Sequence, residues 1–157
     1  MSDKNASIEA LEQQSATETP GAPIVTVPKP SQFLYVQSTG AMYRPDGSFC
    51  AEGYSGRAQG LDNPEMEAVI STGPIPTGIY TLGEVNEEKG PYTIRLIPAA
   101  TNEMHGRSGF LIHGDNKEVN HTASEGCIIM PRLARIELSG GGTLRVIERP
   151  APVPQVA

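Results

Sequence analysis

Cys127 and His113 are the two side chains of this sequence best suited to act together. A cysteine is a nucleophile only as its thiolate, so it needs a nearby base or positive charge, and imidazole is the usual supplier. Each of the two borders a short apolar run, Phe110-Leu-Ile-His113 and Cys127-Ile-Ile-Met130. Such runs read as buried strands that stop at one edge of a sheet, from which a rigid scaffold presents side chains to a cleft. Gly126 stands directly before the cysteine. With no Cβ there, a substrate carbonyl can come close, and backbone N–H groups around Gly126 and Cys127 can hold an oxyanion. The chemistry predicted is acyl transfer through a thioester on Cys127.

Other residues have weaker claims on that cleft. Tyr54 and Ser55, in the glycine-rich stretch Gly53–Gly60, are expected to form one wall. Arg57 or Arg107 has the fork geometry to bind a substrate carboxylate, although each also reads as an ordinary surface arginine. His121, in Asn120-His-Thr122, reads first as a solvated loop residue and second as part of the site's edge; His105 reads as exposed. Cys50 has no comparable context and is taken as a packing residue, with a Cys50–Cys127 disulfide as the minor alternative that would silence the thiol. His113, Asp115, His121 and Cys127 are all of types that ligate zinc, but their spacing matches no common zinc pattern, so no metal is assigned.

To position such a pair the chain needs a sheet, and its composition suits one. The 157 residues include 17 glycines and 14 prolines, which favours a loop-rich β protein with one core. Residues 1–31, polar and proline-containing, read as a flexible arm in which only Ser7 to Gln14 has helical potential. Residues 150–157 read as a proline-rich tail, which leaves 32–149 as the domain. Within it, strands are expected at Phe33–Gln37, near Met42-Tyr43, and from Ser48 to Ala51 after the Arg44-Pro-Asp-Gly47 turn. Gly53–Gly60 is expected to be a surface loop, followed by a single helical turn near Asn63-Pro64. A second hairpin is expected from Ile79–Val85 and Tyr92–Ile97 around a polar tip at residues 86–90. Pro131 to Leu138 has helical spacing, with Leu133, Ile136 and Leu138 apolar, and Thr143–Ile147 is the closing strand.

Charge and hydropathy remove other function classes. Twelve basic residues against 18 acidic ones, with no basic run, argue against nucleic acid as a partner. No apolar stretch is long enough to span a bilayer. The first 20 residues lack the basic start and apolar core of a cleavable signal, so export is expected to need another route.

The blocks Ile112-His-Gly-Asp115 and Ser124-Glu-Gly-Cys127 resemble the catalytic core of the L,D-transpeptidases, in which Glu125 stands where that family usually has a second histidine. The longer combination GYSGRAQGLDNPEMEAVISTGPIPTGIYTLG, GFLIHGD and ASEGC is similar to a divergent branch of bacterial effectors delivered by type VI secretion. The resemblance implies a mostly β fold, a sandwich or barrel of short antiparallel strands with one short helix after the cysteine. It implies Cys127 as nucleophile, His113 as base and oxyanion donors at Gly126 and Cys127. A carbonyl near Gly114 would orient His113, with Asp115 and Ser124 as side-chain alternatives. The implied activity is L,D-carboxypeptidase, removing terminal D-alanine from peptidoglycan tetrapeptide stems, with exchange of D-amino acids and no cofactor. The implied partners are a secretion carrier and an immunity protein, and the implied place of action is the periplasm of a target bacterium. A non-catalytic wall-binding module is the alternative of a different class.

Overall fold

A computed structural model describes residues 32–150. The arm, its Ser7–Gln14 segment and all but the first residue of the tail lie outside the described residues. The strands are β1 (Gln32–Val36), β2 (Ala41–Tyr43), β3 (Phe49–Glu52), β4 (Tyr54–Ser55), β5 (Gly78–Asn86), β6 (Thr93–Pro98), β7 (Leu111–His113), β8 (Ile128–Ile129) and β9 (Thr143–Ile147). Among the described residues one α-helix, α1 (Arg132–Leu138), follows β8, and short 3-10 turns occupy Ala58–Gly60 and Pro64–Met66. The nine strands of the described residues form one sheet in the order β3-β2-β1-β9-β5-β6-β7-β8-β4. The fold is mostly β, as its composition predicts.

The two edge strands of this sheet, β3 and β4, are consecutive in the chain with only Gly53 between them. A sheet whose two edges are joined by one residue has to curl until they meet, so it forms a nearly closed barrel. Gly53 makes the join: its N–H donates to the Gly40 carbonyl at 2.7 Å, and a Cβ there would lie 1.7 Å from the Ile129 carbonyl oxygen. Tyr54-Ser55, read from sequence as loop, is therefore an edge strand paired with β8. Two residues are too few to show a period, which is why the alternation signal fails there. The sheet also departs from uniform antiparallel pairing, since β1 runs parallel to β9 and β7 parallel to β8.

Alternation along the strands sorts side chains into a core and a cleft face. Phe110 and Ile112, with Ile128 and Met130, join Tyr35, Met42, Tyr80, Leu96 and Leu144 in the buried apolar cluster. Leu111 and His113 on β7, and Cys127 and Ile129 at β8, face the other way. In α1 the core-facing pair is Ala134 and Leu138, one i,i+4 step apart. Leu133, expected on that face, is 79% exposed, and Ile136 is 37% exposed.

Candidate active site

Parallel pairing of β7 and β8 explains the spacing between His113 and Cys127. A parallel partner needs a crossover that carries the chain back to the same end of the sheet. Residues 114–127 make it without a helix. The register sets Ile112 beside Ile128 and His113 beside Ile129, so Cys127 is level with Leu111 on the neighbouring strand. His113 and Cys127 thus share a face, two residues apart along it, and both line a cleft of about 510 Å³. Lys89, Arg107, Gly126 and Glu125 are among its other walls.

The imidazole is oriented by backbone. His113 Nδ1 lies 2.8 Å from the Gly114 carbonyl, which can only accept, so Nδ1 carries the proton and Nε2 keeps a free lone pair. Burial pushes His113 below its ordinary value, partly opposed by that hydrogen bond, while the charges of Lys89 and Arg135 push it further down. Burial pushes the Cys127 thiol up, partly opposed by the Leu111 N–H and the charge of Lys89. Both shifts favour the neutral imidazole and the neutral thiol over the ion pair. Among the described residues no hydrogen bond joins the two side chains.

A second network holds the cysteine loop. Ser124 is fully buried, and its Oγ donates to the Cys127 carbonyl at 2.5 Å while accepting the N–H groups of Gly56 at 2.9 Å and Gly126 at 3.0 Å. This corrects two expectations. Ser124 organises the loop and not the imidazole, and the Gly126 N–H, engaged by Ser124, is not a free oxyanion donor. The Cys127 N–H makes no hydrogen bond among the described residues. Ser55, also fully buried, donates to the Gly126 carbonyl at 2.9 Å and accepts the Ile75 N–H at 2.9 Å, so it braces the loop from behind and cannot wall the cleft. Gly126 has φ +140°, and a Cβ there would lie 2.5 Å from Arg107 Nη2 and 2.7 Å from the Phe110 ring.

Arg107 is likewise not free to bind substrate. It is 7% exposed, its guanidinium stacks on Phe110 at 5.2 Å, and its two terminal nitrogens donate to the carbonyls of Glu67, Pro74, Gly73 and Glu125. Two NH₂ groups supply four protons, so these contacts use all of them. Arg57 is on the surface, 3.5 Å from Glu125. Tyr54 donates to Asp115 at 2.7 Å and stacks against His121 at 4.8 Å, and these three line a separate cleft. Asp115 is therefore committed to Tyr54 instead of His113. The four zinc-type side chains divide between two clefts, and among the described residues no three His, Cys, Asp or Glu groups converge as a metal site would require. His105, expected to be exposed, is half-buried with Nε2 2.8 Å from Glu67. Both cysteines are free, Cys50 lying 3.8 Å from Glu137 Oε1.

Sequence reasoning missed Lys89, because residues 86–90 read only as a polar hairpin tip. It also missed Asp62, whose Oδ1 accepts the Ser55 N–H at 3.2 Å. Burial raises the Asp62 carboxyl from its ordinary 3.8 to about 6. A carboxyl raised on folding takes up protons between those two values, so it costs stability progressively as pH rises through that window. Asp62→Asn keeps the acceptor and tolerates the φ of +49°. Thermal unfolding should show it about 1 kcal/mol more stable than wild type at pH 7, after discounting for partial exposure, and equal near pH 4.

No curated protein and no solved structure matches the chain. The family model of the Tlde1 domain matches residues 50–139, more than half of the chain, running from β3 through His113 and Cys127 to the end of α1. The chain belongs to the Tlde1 domain family, a family of antibacterial type VI secretion effectors.

Proposed function

We propose that this effector is a cysteine L,D-carboxypeptidase acting on the tetrapeptide stems of peptidoglycan, with D-amino acid exchange as its second reaction. The observation that carries the reading is the His113 tautomer. With Nδ1–H held by Gly114, Nε2 is an acceptor in the same cleft as the Cys127 thiol. As the stem binds, Nε2 takes the thiol proton and sulfur attacks the carbonyl at the L-centre of diaminopimelate. The oxyanion is met by the Cys127 N–H, the unengaged backbone donor at the nucleophile. The C–N bond breaks, the His113 proton passes to the leaving D-alanine nitrogen, and water then releases a tripeptide stem. A D-amino acid in place of water gives exchange. A secretion carrier would bring the protein to the periplasm of the target cell, and an immunity protein would protect the producer.

Purified protein incubated with tetrapeptide muropeptides should release D-alanine, read as the mass of the tripeptide product, and Cys127→Ala should release none. Intact muropeptides under reducing conditions would reject the activity. Retained binding without any turnover would favour a non-catalytic wall-binding module.

A further inference from the structure

The cleft holds a cation for which the reaction just described has not accounted. Arg107 has spent all four of its terminal protons on backbone carbonyls. Arg57 faces Glu125, and Arg135 donates to the Met130 and Pro91 carbonyls beside the other cleft. Lys89 lines the Cys127 cleft, and no carboxylate among the described residues lies within ion-pair distance of it. Its backbone is nonetheless pinned. The Lys89 N–H donates to Thr93 Oγ1 at 3.2 Å, and that fully buried hydroxyl donates to the Gly90 carbonyl at 2.7 Å. A fixed Cα therefore carries an uncommitted ammonium at the rim of the cleft.

We propose that Lys89 binds the free carboxylate of the terminal amino acid that leaves when the thioester forms, and so directs the enzyme to chain ends. The inference rests on the proposed reaction. In a carboxypeptidase substrate the scissile nitrogen and the free carboxylate share one Cα, so a cation that reads the carboxylate must sit close to the nucleophile on its leaving-group side. Lys89 lines the same cleft as Cys127 and His113, within reach of a carboxylate bound beside them. It takes no part in bond making. Sulfur–carbon bond formation, carbon–nitrogen cleavage and the proton relay through His113 proceed as above while Lys89 holds the carboxylate. A free D-amino acid arriving for exchange has the same carboxylate one Cα from its nitrogen and fits the same contact.

The test uses a Cys127→Ala background, which cannot turn over, and calorimetric binding of a tetrapeptide stem as its free acid and as its C-terminal amide. The other carboxylates of the stem are common to both ligands. The free acid should bind about ten-fold more tightly, the effect of one charge-assisted hydrogen bond. Lys89→Met should reduce acid binding to the level of the amide, and Lys89→Arg should keep most of the preference. With Cys127 restored, Lys89→Met should raise KM for D-alanine release with little change in kcat. Equal binding of acid and amide by the Lys89 protein would overturn the assignment, as would a preference that survives in Lys89→Met. Slower alkylation of Cys127 in Lys89→Met with the preference unchanged would also overturn it, because the lysine would then act on the thiol. If wild type releases no D-alanine while the acid preference disappears in Lys89→Met, the activity falls and the carboxylate site stands.

Discussion

Replacing His113 with alanine should lower the rate of D-alanine release by about 10³-fold while leaving the protein folded and Cys127 open to alkylation. The size follows from the resting state. Burial holds the thiol above its ordinary range and the imidazole below its own, so no preformed thiolate–imidazolium pair stands ready. Attack then depends on proton transfer to Nε2 during the reaction, and a variant without that acceptor has only the small thiolate fraction at neutral pH. The pH profile carries the same signature. Because His113 is pushed down, the acid limb of kcat/KM should lie below the ordinary imidazole pKa of ~6.5, with a plateau through neutrality. Iodoacetamide should alkylate wild-type Cys127 slowly at neutral pH, with the rate climbing above the ordinary thiol pKa of ~8.5. Fast alkylation near pH 5 would instead reveal a preformed ion pair.

Arg107→Met should cost about 3–5 kcal/mol of stability, read as a fall in the urea midpoint. The substitution removes every donor from four carbonyls, those of Glu67, Gly73, Pro74 and Glu125, at a position 7% exposed. It also removes the plate stacked on Phe110. Domains of this size are stable by about 5–15 kcal/mol, so the variant should be marginal. Arg107→Lys should recover little, because a compact ammonium cannot span four acceptors set out for a planar fork. The same arginine holds the Glu125 carbonyl, two residues before Cys127, so residual folded protein should lose activity as well. A variant with unchanged midpoint would show that the carbonyls find water instead.

How much of this is legible in the sequence depends on how local the signal is. His113 and Cys127 can be singled out because each adjoins a continuous apolar run, Phe110-Leu-Ile112 and Ile128-Ile-Met130, which marks buried backbone without needing a period. The Phe33, Tyr80, Ile94 and Leu144 strands are legible from their strand composition and flanking turns, and Pro131 marks the start of the helix. What failed was non-local. Tyr54-Ser55 becomes a strand only because the barrel closes at Gly53, and closure depends on residues as distant as Ile129. Arg107 reads as a surface residue until the chain returns the Gly73-Pro74 and Glu125 carbonyls to it. Ser124 and Ser55 looked like possible cleft groups, yet each is a fully buried node tying a loop to its neighbours. Lys89 had no sequence signal beyond a hairpin tip, since its place in the cleft comes from how β5 and β6 lie beside β7.

These corrections leave a site that is simpler than the sequence suggested. One imidazole is set by a backbone carbonyl, one thiol sits on the adjacent strand, and two buried serines hold the loop that presents it. The polar groups that the sequence offers as substrate contacts are mostly structural, while Lys89 and Glu88 stand at the rim of the cleft.

Whether Cys127 forms a covalent acyl intermediate can be read by intact-protein mass spectrometry of the enzyme quenched in acid during turnover of a tetrapeptide stem. An adduct with the mass of the tripeptide acyl group is expected, localised to Cys127 after digestion and absent when the thiol has first been alkylated. D-alanine release that continues in Cys127→Ala, or an acyl group found on another residue, would contradict it.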